Sequence, residues 1–216
     1  MQVEVVVTGS FEANAYLVWE EGSTQAVTID PGDDADHLIK HIERHNLRLG
    51  AILVTHAHLD HVGAVQALRD WSKAPVCLPE KEREVLSWLP ESYSYFGLPS
   101  RPVPTVDHWL NSQVCDLSQV IPHLQLGGLK LEVHDTPGHS PGGVCYAIEN
   151  QWFVGDTLFQ GSVGRVDLPG GSWSVLQETL RYLSKQPDEV VVWPGHGPRT
   201  TIGHEKRTNP FLKDLD

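Results

Sequence analysis

The chain has 216 residues, 40% of them hydrophobic, and its 16 Lys and Arg against 28 Asp and Glu give a formal net charge of -12. That balance speaks against nucleic acid as a main partner, because phosphate binding relies on clustered Lys and Arg, and the length suffices for a sizeable core. No run approaches the ~18 consecutive apolar residues of a membrane span, and Met1 to Val7 lacks the basic region and long apolar stretch of a signal peptide, so a cytoplasmic protein without a membrane partner is expected.

In chain order, Val3 to Val7, Tyr16 to Trp19 and Ala26 to Ile29 read as short strands, most simply an antiparallel meander. The third ends in Asp30-Pro31-Gly32, where a turn hands over to a helix with Leu38, Ile39 and Ile42 on its apolar face and Asp33, Asp34 and Asp36 in its first turn. Asp30 reads either as a turn residue or as a carboxylate that orients a metal ligand from behind. The apolar run Ala51 to Val54 then leads into Thr55-His56-Ala57-His58-Leu59-Asp60-His61. Alternate residues of an extended segment point the same way, so His56 and His58 can face one metal. A helix starting there, with Val62, Val65, Leu68 and Trp71 at helical spacing, gives Asp60 and His61 a second direction. Asp60 also suits an N-cap, and the two roles can coexist. Surface histidines are the alternative, but such a run directly behind a buried-type strand reads better as a metal site.

Ala74 to Leu78 is a further strand, followed by a helical stretch from Pro79 to Leu89 that Pro90 stops. Pro90 to Asp116 breaks the alternation: Pro99, Pro102 and Pro104 exclude a long helix, and Tyr93, Tyr95, Phe96 and Trp109 form either a wall or lid over the metal loop or a plain cover of the core. Leu129 to Val133 resumes a strand and runs into the turn His134 to Gly143, which presents His139. Val144 to Ile148 and Trp152 to Val154 are strands, the second ending in Gly155-Asp156. A helix from Ser172 to Lys185 buries Val175, Leu176, Thr179, Leu180 and Leu183, and the strand Glu189 to Trp193 stops at Pro194-Gly195-His196-Gly197-Pro198. No low-complexity linker divides the chain, so residues 1–216 read as a single domain of mixed strands and helices. Cys77, Cys115 and Cys145, odd in number and widely spaced, suit neither a disulfide framework nor a thiolate zinc knuckle and read as small apolar residues in or near the core.

The strand-end candidates are His56, His58, Asp60, His61, His139, Asp156 and His196. Imidazole with carboxylate and no thiolate suits Zn, Fe or Mn and leaves open positions, as a catalytic site requires. A bridging carboxylate would hold two ions roughly 3.5 to 4 Å apart, the usual spacing of a two-metal hydrolase.

The Thr-His-x-His-x-Asp-His loop followed by His139, Asp156 and His196 resembles the metallo-beta-lactamase-fold superfamily. Gly155-Asp156-Thr157-Leu158-Phe159, Gly164-Arg165, Pro194 to Gly197 and Thr208-Asn209-Pro210-Phe211 are similar to the glyoxalase II (hydroxyacylglutathione hydrolase) branch, in its short single-domain bacterial form. The resemblance implies an α/β fold, a four-layer αββα sandwich with the site along one edge between two sheets. It also implies two divalent ions, zinc by default with iron or manganese as substitutes: His56, His58 and His139 on one, Asp60, His61 and His196 on the other, Asp156 bridging. The reaction implied is hydrolysis of a glutathione-linked hydroxyacyl thioester such as S-lactoylglutathione by a metal-bound hydroxide, with Asp60 also steering the proton of the water. Full-length members carry a C-terminal helical domain that binds glutathione; here a short tail, Thr200 to Asp216, follows His196, and that domain is expected to be missing. Arg165 matches a basic residue that touches glutathione in the family, although Val166-Asp167-Leu168 stand where a tyrosine is expected close behind it. It is the candidate substrate-binding residue, while Arg199, Lys206 and Arg207 read as solvated side chains.

A second activity of the same fold fits the same motifs: a persulfide dioxygenase acting on glutathione persulfide with one iron held by two His and an Asp. A beta-lactamase is disfavoured, since such enzymes are exported and their sites lack a counterpart of Asp156. Nuclease members bind a polyanion through added basic surface, which a net charge of -12 does not offer.

Overall fold

The computed structural model describes residues 1–111, 116–121, 124, 129–213 and 215; Cys115 lies outside them. β1 (Gln2–Thr8), β2 (Ala13–Trp19) and β3 (Gln25–Ile29) form the expected antiparallel meander. A crossover through α1 (Ala35–Arg44) turns the next pairings parallel, because a helical connection returns the chain to the edge it left. β4 (Arg48–Leu53), α2 (Leu59–Val62), α3 (Val65–Ser72), β5 (Val76–Pro79), α4 (Arg83–Ser87), α5 (Leu89–Tyr95) and β6 (His108–Leu110) continue this plan. The resulting 6-stranded sheet runs in sequence order, β1 to β6.

The second half repeats the plan with a shorter parallel part, a single parallel pairing among the described residues against three in the first sheet. β7 (Leu131–Asp135), β8 (Val144–Ile148) and β9 (Gln151–Gly155) pair antiparallel, and a small hairpin of β10 (Leu158–Phe159) and β11 (Ser162–Val163) follows. After α6 (Trp173–Ser184), β12 (Val191–Pro194) lies parallel to β9, and β13 (Thr200–Thr201) closes the edge before α7 (Ile202–Thr208) and α8 (Pro210–Lys213). The order of this sheet is β13-β12-β9-β8-β7.

Successive strand residues point to opposite faces, so each sheet feeds two cores. Ile52 and Val54 join Leu38 and Ile42 of α1 and Leu68 of α3 beneath the first sheet. Ala51 and Leu53 point the other way and meet Tyr16, Ile29, Tyr146, Ile148 and Phe153 between the sheets. Trp152, Val154 and Val192 take the far face of the second sheet, where Leu176, Leu180 and Leu183 of α6 cover them at the i, i+4, i+7 spacing of one helical stripe. Three cores between four layers make the αββα sandwich. Among the described residues, no helix is long and apolar enough to cross a membrane.

Several local expectations are corrected. Pro90 starts a helix instead of stopping one: it sits in the first turn of α5, where its missing N–H has no intrahelical partner to lose. Pro79 both ends β5 and, as expected, opens the helical stretch: it is the N-cap residue of a 3₁₀ turn, Glu80–Glu82, that runs directly into α4. The stretch from Pro90 to Asp116, expected to be irregular, thus contains α5 and the edge strand β6 with Trp109 in it. The helix after the histidine loop is broken between α2 and α3, because the Ala64 N–H bonds the Pro31 carbonyl at 3.0 Å instead of continuing the helix. Within α3, Val65 and Leu68 are buried but Trp71 is exposed. Of the three early aspartates only Asp36 lies in the first turn of α1; Asp34 is its N-cap residue and accepts from the Gly9 N–H, and Asp33 pairs with Arg101. Val175 is half-buried instead of buried.

Candidate metal centre

Six of the seven candidate ligands come from the loops after β4, β9 and β12, and His139 comes from the β7–β8 loop; β7 runs in the same direction as β9 because β8 lies antiparallel between them, and Asp30 follows β3, the parallel neighbour of β4. Parallel strands put such loops on one edge, which is why side chains from His56 to His196 can meet. Two contacts between the sheets close that edge. The Val144 N–H bonds the Thr55 carbonyl at 3.0 Å, and the Asn14 N–H bonds the Gly195 carbonyl at 2.7 Å.

His56, His58 and His139 form one group whose donor atoms lie within 4.8 Å of one another, and Asp60, His61 and His196 form another. Asp156 lies between them: its Oδ1 is 3.4 Å from His61 Nε2, and its Oδ2 is 3.6 Å from both His139 Nε2 and His196 Nε2. All seven sequence-predicted ligand candidates are therefore brought together. His134 is not among them; it stacks on Trp152 and meets the Tyr182 hydroxyl.

The second ring nitrogens of His56, His61 and His139 are held from behind. Asp30, 1% exposed, accepts from the Thr55 N–H and the Thr55 hydroxyl, each at 2.7 Å, and its Oδ2 also lies 3.1 Å from His61 Nδ1. Since the Thr55 hydroxyl donates to Asp30, it is free to accept from His56 Nδ1, 3.0 Å away. His139 Nδ1 donates to the Arg165 carbonyl at 2.7 Å. Each bond fixes a tautomer that leaves Nε2 as a lone pair facing the centre. Of the two readings of Asp30, this geometry selects the orienting carboxylate. It also explains a third cluster, Asp30 with His56 and His61, whose carboxylate is already engaged in supporting the other two.

Electrostatics match that donor set. Burial, reinforced by neighbouring imidazoles, holds His56 well below the usual imidazole range and brings His58 down to about 4, so both are neutral donors at pH 7. Burial opposes ionisation of Asp60 and Asp156, but the surrounding histidines outweigh it and hold both below the ordinary carboxylate range. Burial likewise opposes charge on His61, but Asp60 and Asp156 outweigh it and favour the protonated ring, so a cation taken up at Nε2 would displace that proton. The buried atoms His56 Nε2, His61 Nε2 and Asp156 Oδ1 have no hydrogen-bond partner. Buried polar atoms normally have one, and three of them converging among lone pairs and carboxylates fit divalent ions. The approach is tight: a Cβ on Gly195 would lie 2.1 Å from Asp156 Oδ1.

Several supporting residues were not legible in the sequence. Asn14 and Tyr16 of β2 both donate to the Pro194 carbonyl, and Asn14 also donates to that of Gly197, which seats the His196 loop. Neither carries a motif signal. Beside Asp60 a pocket opens between Phe11, Leu59, Tyr93, Leu98 and Arg101. The aromatic segment thus divides: Tyr93 walls the site, whereas Trp109 lies under Arg83 in a cation-π contact. The Arg165 guanidinium is exposed and held by both oxygens of Asp167, at 2.6 and 2.7 Å; its carbonyl, not its charge, reaches the centre.

Residues 8–196 match the family model of the metallo-beta-lactamase superfamily. The chain belongs to that superfamily. It is 38% identical over 98% of both lengths to the hydroxyacylglutathione hydrolase GloC of Haemophilus influenzae. Among solved structures it is similar to BLEG-1 B3 metallo-beta-lactamase, with 40% identity, a TM-score of 0.87 and 98% and 99% of the two chains covered. TTHA1623 in a di-iron-bound form gives 39% identity and a TM-score of 0.85 over 97% of this chain and 100% of that one. ETHE1 from Myxococcus xanthus gives 26% identity and a TM-score of 0.75 over 100% and 90%. The superfamily is one of metallo-hydrolases that bind divalent metals, so a metal-dependent hydrolase is the general function of this fold member.

Proposed function

We propose that the protein hydrolyses hydroxyacyl thioesters of glutathione, such as S-lactoylglutathione, with two divalent ions, zinc by default and iron or manganese as substitutes. In this reading His56, His58 and His139 hold one ion, Asp60, His61 and His196 the other, and Asp156 belongs to both. The observation that carries it is the position of Asp156, whose two oxygens face histidines of both groups. The choice of thioester is supported by the similarity to the Haemophilus influenzae hydrolase.

Bound ions would supply Lewis acidity, bringing the pKa of a coordinated water to about 7 and polarising the thioester carbonyl. The chain's own groups do the rest. Asp30, Thr55 and the Arg165 carbonyl keep the imidazole N–H groups turned away, so that the lone pairs face inward. Asp60, held ionised at the mouth of the pocket, steers the proton of the attacking water; its depressed pKa makes it a poor place for that proton to stay, and the proton passes to solvent. A thiol of pKa about 8.5 departs as a thiolate without a general acid. The pocket between Phe11, Tyr93 and Arg101 is assigned to the substrate. Asp167 occupies Nε and one Nη2 donor of Arg165, so a glutathione carboxylate would meet the remaining guanidinium N–H groups in competition with that ion pair.

The dioxygenase is the second reading, favoured by the similarity to ETHE1; the di-iron-bound form of TTHA1623 supports instead two occupied positions that iron can fill. The similarity to BLEG-1 adds a beta-lactam to the substrates worth measuring. One metal-analysed preparation decides among them: thiol release from S-lactoylglutathione, oxygen uptake with glutathione persulfide, and hydrolysis of a chromogenic beta-lactam. Thioester cleavage is expected to dominate. Oxygen uptake without thioester cleavage, in protein holding a single iron, would move the function to the dioxygenase.

A further inference from the structure

Glu82 lies in the run Glu80-Lys81-Glu82-Arg83, which in sequence looks like a solvated surface turn. In the fold it is 0% exposed. Its Oε2 accepts from the Ala57 N–H, between His56 and His58, at 2.9 Å, and its Oε1 accepts from the Gly142 N–H, on the loop that carries His139, at 2.6 Å. One carboxylate therefore spans the two loops that contribute the three-histidine group. The approach is built for it: a Cβ on Gly142 would lie 2.8 Å from Lys81 Cβ and 2.9 Å from the Glu82 backbone nitrogen, so glycine is what lets the loop press onto Glu82.

The charge is as informative as the geometry. Its sequence neighbours are engaged elsewhere, Lys81 with Asp135 and Arg83 with Glu80, and among the described residues no Lys or Arg pairs with Glu82. Burial pushes its pKa up, and the Ala57 and Gly142 N–H groups oppose that. A buried carboxylate without a cation is costly for packing alone, yet it becomes favourable beside a site that takes up positive charge.

We propose that Glu82 is a positioning residue: its buried carboxylate ties the His56–His58 loop to the His139 loop and sets the affinity of the three-histidine position for a divalent cation. The inference rests on the metal-centre reading above. Zinc binding, measured by competition with a chromophoric chelator, tests it on Glu82→Gln and Glu82→Asp, each also placed in a His196→Ala background that leaves mainly the three-histidine position to be read. The Gln variant keeps the volume but removes the charge and turns an amide N–H toward a backbone N–H. It should weaken zinc binding roughly 10- to 100-fold in both backgrounds, the usual range for partners behind a ligand, with Glu82→Asp recovering part of the loss. The melting temperatures of the metal-free proteins separate this from plain loss of fold. An affinity unchanged within roughly threefold, with or without a lowered metal-free melting temperature, would reduce Glu82 to a packing residue and overturn the proposal. Should the unsubstituted protein bind no zinc, the metal-centre reading falls and takes this inference with it, an outcome distinct from a silent Gln variant.

Discussion

A histidine becomes a metal donor when other donors converge with it on one point, and that separates the centre from the other described members of the chain's 12 histidines; a held second nitrogen then orients three of the rings. His56, His61 and His139 are each fixed through Nδ1 by Thr55, Asp30 or a carbonyl. His41 and His45 instead meet Glu4 on the outer side of α1, with no second carboxylate converging on them. The shared position of Asp156 yields the sharpest substitution test. Asp156→Ala should lose metal at both positions and abolish activity, whereas His196→Ala should empty mainly one; metal content after gel filtration reads the difference, and equal partial losses would mean that Asp156 does not bridge. Cysteine chemistry gives a second test. Burial pushes the thiols of Cys77 and Cys145 each up to about 12, and thiolate is the reactive form. Both should resist iodoacetamide at pH 8 in the folded protein and react fully once unfolded, as peptide mass mapping would record; rapid native labelling of either would contradict its core position.

At the scale of elements, backbone approach overrules side-chain pattern. The apolar spacing from Val62 to Trp71 describes one helix, yet Pro31-Gly32 takes the Ala64 N–H and divides it, which leaves α2 short enough to aim Asp60 and His61 at the centre. A Cβ on Gly32 would lie 1.8 Å from the Asp60 carbonyl, so the turn after β3 and the start of α2 are pressed together. Gly195, after β12, stands equally close to the site, its Cβ position 2.1 Å from Asp156 Oδ1 and 2.7 Å from His61 Cε1. Gly195→Ala should therefore displace Asp156 and lower zinc affinity roughly tenfold or more. Chelator competition measures it, and wild-type affinity in the Ala variant would show that the loop can retreat at no cost to the centre.

For the molecule as a whole, the centre is where two sheets are fastened. The N-terminal sheet supplies Asp30 and the His56 to His61 loop, the C-terminal sheet supplies Asp156 and His196, and Asn14 and Tyr16 reach from β2 to the Pro194 carbonyl. Ions held by residues of both sheets would brace the folded state alone. A ligand at a thousand times its dissociation constant adds about 4 kcal/mol, which for a chain of this size corresponds to a melting temperature higher by roughly 10 °C. Chelation should lower the melting temperature by about that amount, and re-addition of zinc should restore it. A melting curve indifferent to chelator would mean that the clustered residues meet without holding metal.

Much of this was written in the sequence because it is local. Period-two strands, the apolar stripe of α6 and the spacing of His56, His58, Asp60 and His61 depend only on how neighbouring residues point along a strand or helix, and the superfamily follows from those motifs in order. Sequence alone does not fix the role of Pro90, because a proline suits the end of one helix and the first turn of another equally well; only the path of the chain chooses α5. Glu82, Asn14 and Thr55 were illegible for a different reason. A carboxylate in a charged turn, an amide in a strand and a hydroxyl before a histidine acquire their roles from partners 25 to 183 residues away, and such pairings exist only after the sheets have packed. Whether Asp30 merely turned the chain or oriented a ligand was likewise decided by tertiary structure, because it rests on which hydroxyl and which imidazole the closed edge of the sandwich places against one buried carboxylate.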